Sequence, residues 1–203
     1  MSAPVIGVLD YGMGNLRSVT KALERVGAEA RLIDAPEGAG GLDGLVVPGV
    51  GAFGACMDGL RERGLDTVVT EWAEEDRPLL GVCLGMQVLF EWSEEGGVEG
   101  LGVLAGKVRR LPDTVKVPHM GWNEVRWTRE TAITSGVPDG TRFYFVHSYA
   151  CEAAPELASG ETEYGTRFAA AVQRGRLFAT QFHPEKSGDP GIELYRAFVE
   201  SAS

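Results

Sequence analysis

The sequence of 203 residues has little of what several classes of protein require. It contains 3 cysteines, an odd number at irregular spacing, so we expect no disulfide framework and a reducing compartment. Nowhere do 18 consecutive apolar residues occur, which argues against a membrane-spanning helix. Basic residues are outnumbered, with 19 Lys and Arg against 29 Asp and Glu, and they are scattered along the chain. Nucleic acid is therefore not an expected partner.

Targeting signals and metal-ligand spacings are also lacking. The chain begins without a charged segment, a long apolar stretch and a cleavage site, so we expect a cytoplasmic protein. The histidines at 119, 147 and 183 form no H-x-x-x-H or H-E-x-x-H pattern, and no C-x-x-C occurs, so we expect neither a metal nor a cofactor. The length is within the single-domain range, so residues 1–203 are expected to form one domain.

What is present is an alternation of strand-like and helix-like segments, typical of an α/β fold. In the first half, strands are predicted at 4–9, 30–33, 44–47 and 78–82, and helices at 16–26, 52–63, 66–76 and 84–94. A flexible loop is predicted at 38–41. The second half is richer in β-structure and partly antiparallel. Strands are predicted there at 102–110, 124–127, 142–149, 168–173 and 177–182, followed by a closing helix at 190–200.

A cysteine flanked by glycines occupies the point where an apolar strand is predicted to turn into a helix, at residues 81–85. A nucleophile at such a turn has a strained backbone, so the residues two before and two after it must be nearly free of side chain. Gly81 and Gly85 satisfy that requirement, and the positive end of the helix dipole would favour a thiolate. Cys83 is therefore the candidate nucleophile. Cys56 and Cys151 lack this context and are assigned to packing.

A candidate base and its orienting carboxylate lie together near the C-terminus, as His183 and Glu185. Residues two apart in an extended backbone project to the same side, and Pro184 between them disfavours a helix. We therefore expect the two side chains to be neighbours, delivered to an edge of the sheet by a hairpin predicted at 168–181. With Cys83 they make a nucleophile, a base and an orienting group.

A glycine-rich loop follows the third predicted strand, at residues 48–54, and its glycines leave backbone N–H groups free to donate. A tetrahedral intermediate at Cys83 needs two donors, and the N–H of Leu84 plus one from Val50 or Gly51 would supply them. Glycine-rich loops also cradle phosphate, but this one matches neither G-x-x-x-x-G-K-[ST] nor G-x-G-x-x-G. The oxyanion interpretation is therefore favoured.

Six runs of sequence together resemble one family. They are D-Y-G-M-G-N at 10–15, P-G-V-G-A-F at 48–53, G-V-C-L-G-M-Q at 81–87, P-H-M-G-W-N at 118–123, F-Y-F-V-H-S-Y at 143–149 and Q-F-H-P-E-K-S at 181–187. The cysteine and H-P-E runs resemble the class I glutamine amidotransferases, which have a Cys-His-Glu triad. The other four are similar to the glutaminase subunits of imidazole glycerol phosphate synthase. The resemblance implies a flavodoxin-like α/β fold, with a mostly parallel central sheet flanked by helices.

The resemblance also implies a substrate and the residues that bind it. The substrate is glutamine, whose side-chain amide is hydrolysed to glutamate and ammonia. The implied substrate-binding residues are Gln87, Ser148, Tyr149 and Gly51. His147 belongs to an alternating pattern that by itself favours a satisfied, half-buried histidine.

The chain has no room for a domain that would use the ammonia, so a partner polypeptide is expected. The resemblance implies a cyclase subunit with a (β/α)₈-barrel fold, joined in a heterodimer and fed through an ammonia channel, which forms imidazole glycerol phosphate and an aminoimidazole carboxamide ribonucleotide in histidine biosynthesis. The implied interface residues are Asn15, His119, Trp122, Asn123 and Lys186. By residue type alone, Asn15 would be a helix cap, Lys186 a solvated lysine and Trp122 a core or interface residue.

Two alternatives stay open at this level. One is a glutaminase subunit that serves another synthase, such as anthranilate or pyridoxal phosphate synthase. The other is a catalytically dead interaction module of the same fold. Mixing the chain with each candidate partner synthase and measuring activity distinguishes the first alternative from a role in histidine biosynthesis. Alkylation of Cys83 that is much faster than that of Cys56 argues against the second alternative.

Overall fold

The computed structural model describes residues 3–203. Met1 and Ser2 lie outside the described residues, and they belong to the N-terminal segment in which the sequence predicts no leader. The helices are α1 (Leu16–Arg25), α2 (Phe53–Glu62), α3 (Leu65–Glu74), α4 (Leu84–Gln87) and α5 (Gly188–Ala202). The strands are β1 (Val5–Leu9), β2 (Glu29–Ile33), β3 (Gly44–Val47), β4 (Leu79–Val82), β5 (Phe90–Ser93), β6 (Val98–Glu99), β7 (Leu104–Arg110), β8 (His119–Trp127), β9 (Thr141–His147), β10 (Tyr149–Ala153), β11 (Ala158–Glu163), β12 (Arg167–Arg174) and β13 (Leu177–Thr180).

The strands form one mixed sheet whose main path is β2-β1-β3-β4-β13-β12-β10-β7-β5-β6. The part from β2 to β13 is parallel. From β13 onward, the pairs β13–β12, β12–β10 and β10–β7 are antiparallel, whereas β7 and β5 are parallel. The hairpin of β8 and β9 joins the sheet through β11. The expected parallel first half and partly antiparallel second half are thus confirmed.

Side-chain alternation along the parallel strands divides the core between two faces of the sheet. On β3, Leu45 and Val47 belong to the cluster that packs against α2 and α3. Val46 belongs to the cluster on the opposite face, which packs against α1 and α5. Because both faces of the sheet are covered, the sequences of these strands are continuously apolar, as is usual for parallel strands.

The sheet register places the ends of β4 and β13 side by side. Val82, the last residue of β4, pairs with Thr180, the last residue of β13. The N–H of Cys83 then donates to the carbonyl of Thr180 over 2.7 Å. The chain therefore leaves both strands at the same carboxyl edge, and the residues that follow them meet there.

The predicted helix at 84–94 is wrong beyond its first turn. Helix α4 ends at Gln87, and Phe90 begins β5, which pairs with β7 in parallel. A short apolar run such as residues 88–90 fits a buried strand as well as a helix, and periodicity alone does not separate the two.

Two other local expectations also fail. Residues 36–39 form a 3₁₀ turn in place of part of the flexible loop expected at 38–41. Pro184–Lys186 is a 3₁₀ turn as well, where an extended backbone was expected. Proline suits the first position of such a turn, because its φ is preset and its missing N–H is not needed there.

No helix within residues 3–203 is both long and apolar enough to span a membrane.

Candidate active site

Cys83 connects β4 to α4 in a backbone conformation that side-chain-bearing residues rarely adopt, with φ 55° and ψ −110°. The chain passes closely over itself here. A Cβ at Gly85 would lie 1.8 Å from the carbonyl oxygen of Val47, and a Cβ at Gly81 would lie 2.9 Å from the carbonyl oxygen of Gly85. Both flanking positions therefore require glycine, and the backbone has the geometry expected of a nucleophile elbow.

His183 and Glu185 form a buried pair directly after β13. Nδ1 of His183 donates to Oε1 of Glu185 over 2.8 Å, and the side chains are only 2% and 1% exposed. Burial lowers the pKa of His183, but the charges of the Cys83 thiolate and of Glu185 outweigh burial and raise this pKa to about 10. His183 Nε2 is also buried, without a hydrogen-bond partner in the described part of the chain. The imidazole is thus oriented at one nitrogen and free to move a proton at the other.

Cys83 and His183 open onto a pocket of about 290 Å³. Leu84, Val50 and Gly51, the predicted oxyanion residues, also line it. So do Gln87, Ser148 and Tyr149, the predicted substrate-binding residues. The volume is near the lower end of the range of ~300–1,000 Å³ typical of ligand pockets, which suits a small metabolite.

Sequence reasoning missed Glu95, which follows β5 and lines the same pocket. Its carboxylate also accepts the N–H of Phe53, over 3.0 Å, at the start of α2. At the other end of the glycine-rich loop, the Tyr11 hydroxyl donates to the carbonyl of Pro48. Gly51 lies between these anchors with φ 97°, where a Cβ would meet the Met13 side chain at 2.4 Å. The loop is therefore fixed at both ends and permissive in its middle.

Two buried amides connect the pocket wall to the sulfur of Cys83. Nε2 of Gln87 donates to the carbonyl of Tyr149 over 2.9 Å and to Oε1 of Gln181 over 3.0 Å. Nε2 of Gln181 lies 3.8 Å from Cys83 Sγ. Gln181 was within a quoted motif but received no role from the sequence, because its contact with residue 83 is visible only in three dimensions.

Two histidines form a second buried chain of hydrogen bonds, ending at the same carbonyl. Nδ1 of His147 is 2.7 Å from the carbonyl oxygen of Tyr149, which only accepts, so this nitrogen carries the proton. Nε2 of His147 therefore accepts from Nδ1 of His119 over 3.0 Å. Nε2 of His119 in turn accepts from Nδ2 of Asn123 over 3.4 Å. His147 is satisfied, as the sequence pattern predicted, although it is fully rather than half buried.

Acidification is expected to destabilise the fold through this histidine pair. Burial lowers the pKa of His119 to about 4 and, outweighing the bond to Tyr149, lowers the pKa of His147 to about 3. Below about pH 6.5 the unfolded chain therefore binds protons that the folded chain does not, so stability falls as pH falls. We expect urea unfolding to show a loss of about 1 kcal/mol per pH unit for each histidine between about pH 6.5 and 5.

The matched variant for this measurement is His147→Phe, which keeps a ring and removes one titrating group. Its slope of unfolding free energy against pH should be about half as steep, whatever its absolute stability. His183 adds a smaller slope of opposite sign near pH 6.5, where it is fully protonated in the folded chain and half protonated in the unfolded chain. Near pH 5 it is protonated in both states, so the two chains are compared at that end of the window. An unchanged slope in the variant would contradict the assignment.

An exposed aromatic patch lies beside the pocket on the β8–β9 hairpin. Met120 and Trp122 are 63% and 55% exposed. The Trp122 ring packs edge-on against Tyr144, with centroids 6.2 Å apart, and the ammonium of Lys186 lies 5.9 Å from the centroid of the Tyr144 ring. We call these four residues the Trp122 patch. Large apolar side chains exposed together are characteristic of a binding surface.

The five predicted interface residues do not share one surface of the chain. Trp122 and Lys186 are exposed in the Trp122 patch, and Asn15 is half-buried at the start of α1, where its carbonyl rather than its side chain accepts helix N–H groups. His119 is buried beneath Tyr164, with ring centroids 4.0 Å apart, and Asn123 also donates inward, to the carbonyl of Glu163.

No group of three or more His, Cys, Asp or Glu side chains within residues 3–203 is arranged to hold a metal ion. The site instead combines a thiol, an oriented imidazole and a permissive backbone loop around one small pocket. Such a set suits acyl transfer through a covalent thioester.

Comparisons with known proteins give concordant results. Residues 7–201 match the family model "Glutamine amidotransferase class-I". The chain is 52% identical over 197 residues to "Imidazole glycerol phosphate synthase subunit HisH" of Moorella thermoacetica, covering 96% of this chain and 94% of that protein. It is 47% identical over 200 residues to the protein of the same name from Dehalococcoides mccartyi (strain CBDB1), covering 98% of each.

Solved structures show the same fold. A crystal structure described as a glutamine amidotransferase superposes with a TM-score of 0.77 at 26% identity, covering 97% of this chain and 98% of that chain. The structure of PurLQS from Thermotoga maritima gives a TM-score of 0.80 at 18% identity, covering 99% and 100%, and this likeness concerns the fold alone.

Proposed function

The chain belongs to the class I glutamine amidotransferase family, and we propose that Cys83, His183 and Glu185 are its catalytic triad. Its curated relatives bear the name imidazole glycerol phosphate synthase subunit HisH, and the function of this chain is accordingly that of a glutaminase subunit in histidine biosynthesis. The observation that carries the triad is the shared carboxyl edge of β4 and β13. It places a strained thiol and a carboxylate-oriented imidazole on one pocket.

The reaction follows from these groups. The Cys83 thiolate attacks the side-chain carbonyl carbon of glutamine, and the C–N bond breaks as His183 gives its Nε2 proton to the leaving ammonia. Water then attacks the resulting thioester, with His183 accepting the proton of the water, and glutamate leaves as Cys83 is released. The Glu185 carboxylate keeps the imidazole oriented and stabilises its positive charge.

Charge develops on the former amide oxygen during both steps. The N–H of Leu84 is in the first turn of α4, where helix N–H groups have no partner within the helix, and it lies next to the nucleophile. We assign the second donor to the loop at Val50 and Gly51, which lines the same pocket. Two donors at this position are the usual requirement for stabilising a tetrahedral oxyanion.

The amino-acid end of glutamine is assigned to the opposite side of the pocket, at Gln87, Ser148, Tyr149 and Gly51. Both N–H groups of the Gln87 amide are used within the protein, so only its Oε1 is free for an incoming ligand. An oxygen acceptor there, together with the Glu95 carboxylate, suits the α-ammonium group of glutamine.

We assign the partner surface to the Trp122 patch, together with Asn15 at the start of α1. The expected partner is a cyclase subunit with a (β/α)₈-barrel fold, which receives ammonia through a channel and uses it on a nucleotide substrate. His119 and Asn123 lie beneath this surface and support it through their inward hydrogen bonds. An exposed tryptophan beside a lysine provides the aromatic and cationic anchors that protein interfaces favour.

Partner binding is expected to activate the glutaminase through the glycine-rich loop. The loop is fixed at Pro48 and Phe53 but permissive at Gly51, so two loop arrangements need differ by only a few kcal/mol. Losing one oxyanion donor costs about 10²–10³ in rate. We therefore expect kcat/KM for glutamine to rise by about 10²-fold from the free chain to the complex with cyclase and nucleotide.

The measurement compares glutamate production by the free chain, the complex, and the complex with nucleotide. Lys186→Ala is expected to weaken the response, because its ammonium is part of the Trp122 patch. Lys107→Ala, an exposed lysine on β7, is the matched control and should respond normally. Equal kcat/KM in all three states would refute the switch, and a normally responding Lys186→Ala chain would remove that residue from it.

A further inference from the structure

The orientation of the Gln181 amide is fixed by its neighbours. Nε2 of Gln87 must be the donor, because it contacts the carbonyl oxygen of Tyr149, which only accepts. The atom of Gln181 that it meets at 3.0 Å is therefore the oxygen. The remaining atom of the Gln181 amide, 3.8 Å from Cys83 Sγ, is in consequence the N–H-bearing nitrogen.

The sulfur of Cys83 thus has two different polar neighbours. The carbonyl of Val146, 4.0 Å away, is an acceptor and suits the protonated thiol. The amide N–H of Gln181 is a donor and suits the thiolate. When the proton moves to His183, the sulfur loses its donor and keeps its ability to accept. The charged imidazole of His183 then attracts the thiolate, and of the two neighbours above only Gln181 adds a hydrogen bond to it.

We propose that Gln181 is a positioning residue of the glutaminase reaction, which holds and stabilises the Cys83 thiolate through its side-chain N–H. The proposal rests on the proposed function in one respect, that Cys83 is the nucleophile. Gln181 directly follows β13, two residues before His183, and its side-chain amide joins Gln87 on one side to the nucleophile on the other.

The surroundings of Gln181 make this arrangement rigid. The residue has no solvent exposure, so water does not compete for its amide. The Tyr149 carbonyl that fixes Gln87 is held in turn by His147, which is backed by His119 and the β8 strand. Turning the Gln181 amide over would place its N–H groups against those of Gln87 and leave a buried donor unpaired, which is costly.

Gln181→Met tests the proposal, since it keeps the length of the side chain and removes the donor. It also removes the oxygen that accepts from Gln87, and Gln181→Glu, described below, separates that effect. The readout is the rate of iodoacetamide alkylation of Cys83 as a function of pH, which needs no glutamine. We expect the alkylation profile to move to higher pH and the rate near neutrality to fall about tenfold, the effect of one hydrogen bond to a charged group. In the complex with cyclase, kcat should fall similarly while KM for glutamine changes little.

Gln173→Met, a partly exposed amide on β12, is the matched control and should alkylate and turn over like the wild type. Gln181→Glu is a second test, because it keeps the oxygen acceptor for Gln87 and also lacks the N–H. Its alkylation rate near neutrality should fall at least as much as that of Gln181→Met. Alkylation profiles of both Gln181 variants that coincide with the control would overturn the proposal. A wild type that alkylates as expected but does not hydrolyse glutamine would instead overturn the proposed function.

Discussion

Cys83→Ala is expected to abolish glutamine-dependent synthesis by the complex while leaving synthesis from added ammonium salts intact. Alanine has no nucleophile, whereas ammonia from solution can still reach the cyclase. The fold should survive, because alanine meets the same backbone strain at φ 55° as cysteine does. Glutamate release and product formation, each measured with glutamine or ammonium as the nitrogen source, separate the two activities.

The matched control for that experiment is Cys151→Ala. Cys151 has no solvent exposure and belongs to the core cluster, and burial raises the pKa of its thiol well above the ordinary value, so it is an inert packing residue. We expect its glutamine turnover to stay close to wild type. Glutamine turnover by Cys83→Ala within about tenfold of wild type would disprove the nucleophile assignment.

Gly85→Ala is expected to cost at least about 3 kcal/mol of unfolding free energy, at or beyond the upper end of ordinary overpacking. The added Cβ would lie 1.8 Å from the carbonyl oxygen of Val47 and 2.8 Å from its carbon, and both atoms belong to the backbone of a buried strand. Neither can turn aside as a flexible side chain would. Urea unfolding of the variant measures the loss.

Gly40→Ala provides the comparison, since a Cβ there meets nothing within 4 Å and the residue has an ordinary φ of −70°. It should be neutral or more stable by up to ~1 kcal/mol, because alanine restricts the unfolded chain more than glycine does. If Gly85→Ala were as stable as Gly40→Ala, the close passage of α4 over β3 would not be the reason for glycine at this position.

The parts of the fold that the sequence predicts well are those determined locally. The first helix, the buried parallel strands and the hairpin before His183 each have a distinctive period or a glycine turn. The helix predicted at 84–94 fails because its apolar residues fit either period, and the choice of a strand at residue 90 comes from pairing with β7, which follows later in the chain.

The candidate site likewise contains some residues that local sequence predicts and others that it does not. Cys83 and the pair of His183 and Glu185 are recognisable from short motifs, although the turn between the last two was predicted with the wrong backbone. Gln181 and Glu95 carry no such signal, because their contacts are with residues 98 and 42 positions away in the chain. Long-range contacts of single polar side chains are set by the packing of the whole sheet, and a local pattern does not record them.

The left-handed backbone of Cys83 also bears on how such a protein evolves or is engineered. Strain of this kind costs on the order of 1–3 kcal/mol and is relieved by glycine, which adopts the same dihedral angles freely. Selection for thermal stability alone would therefore favour losing the cysteine, and with it the proposed nucleophile. Under the proposed function, selection for activity and selection for stability act in opposite directions at residue 83, so improved stability without loss of activity must come from positions elsewhere in the chain.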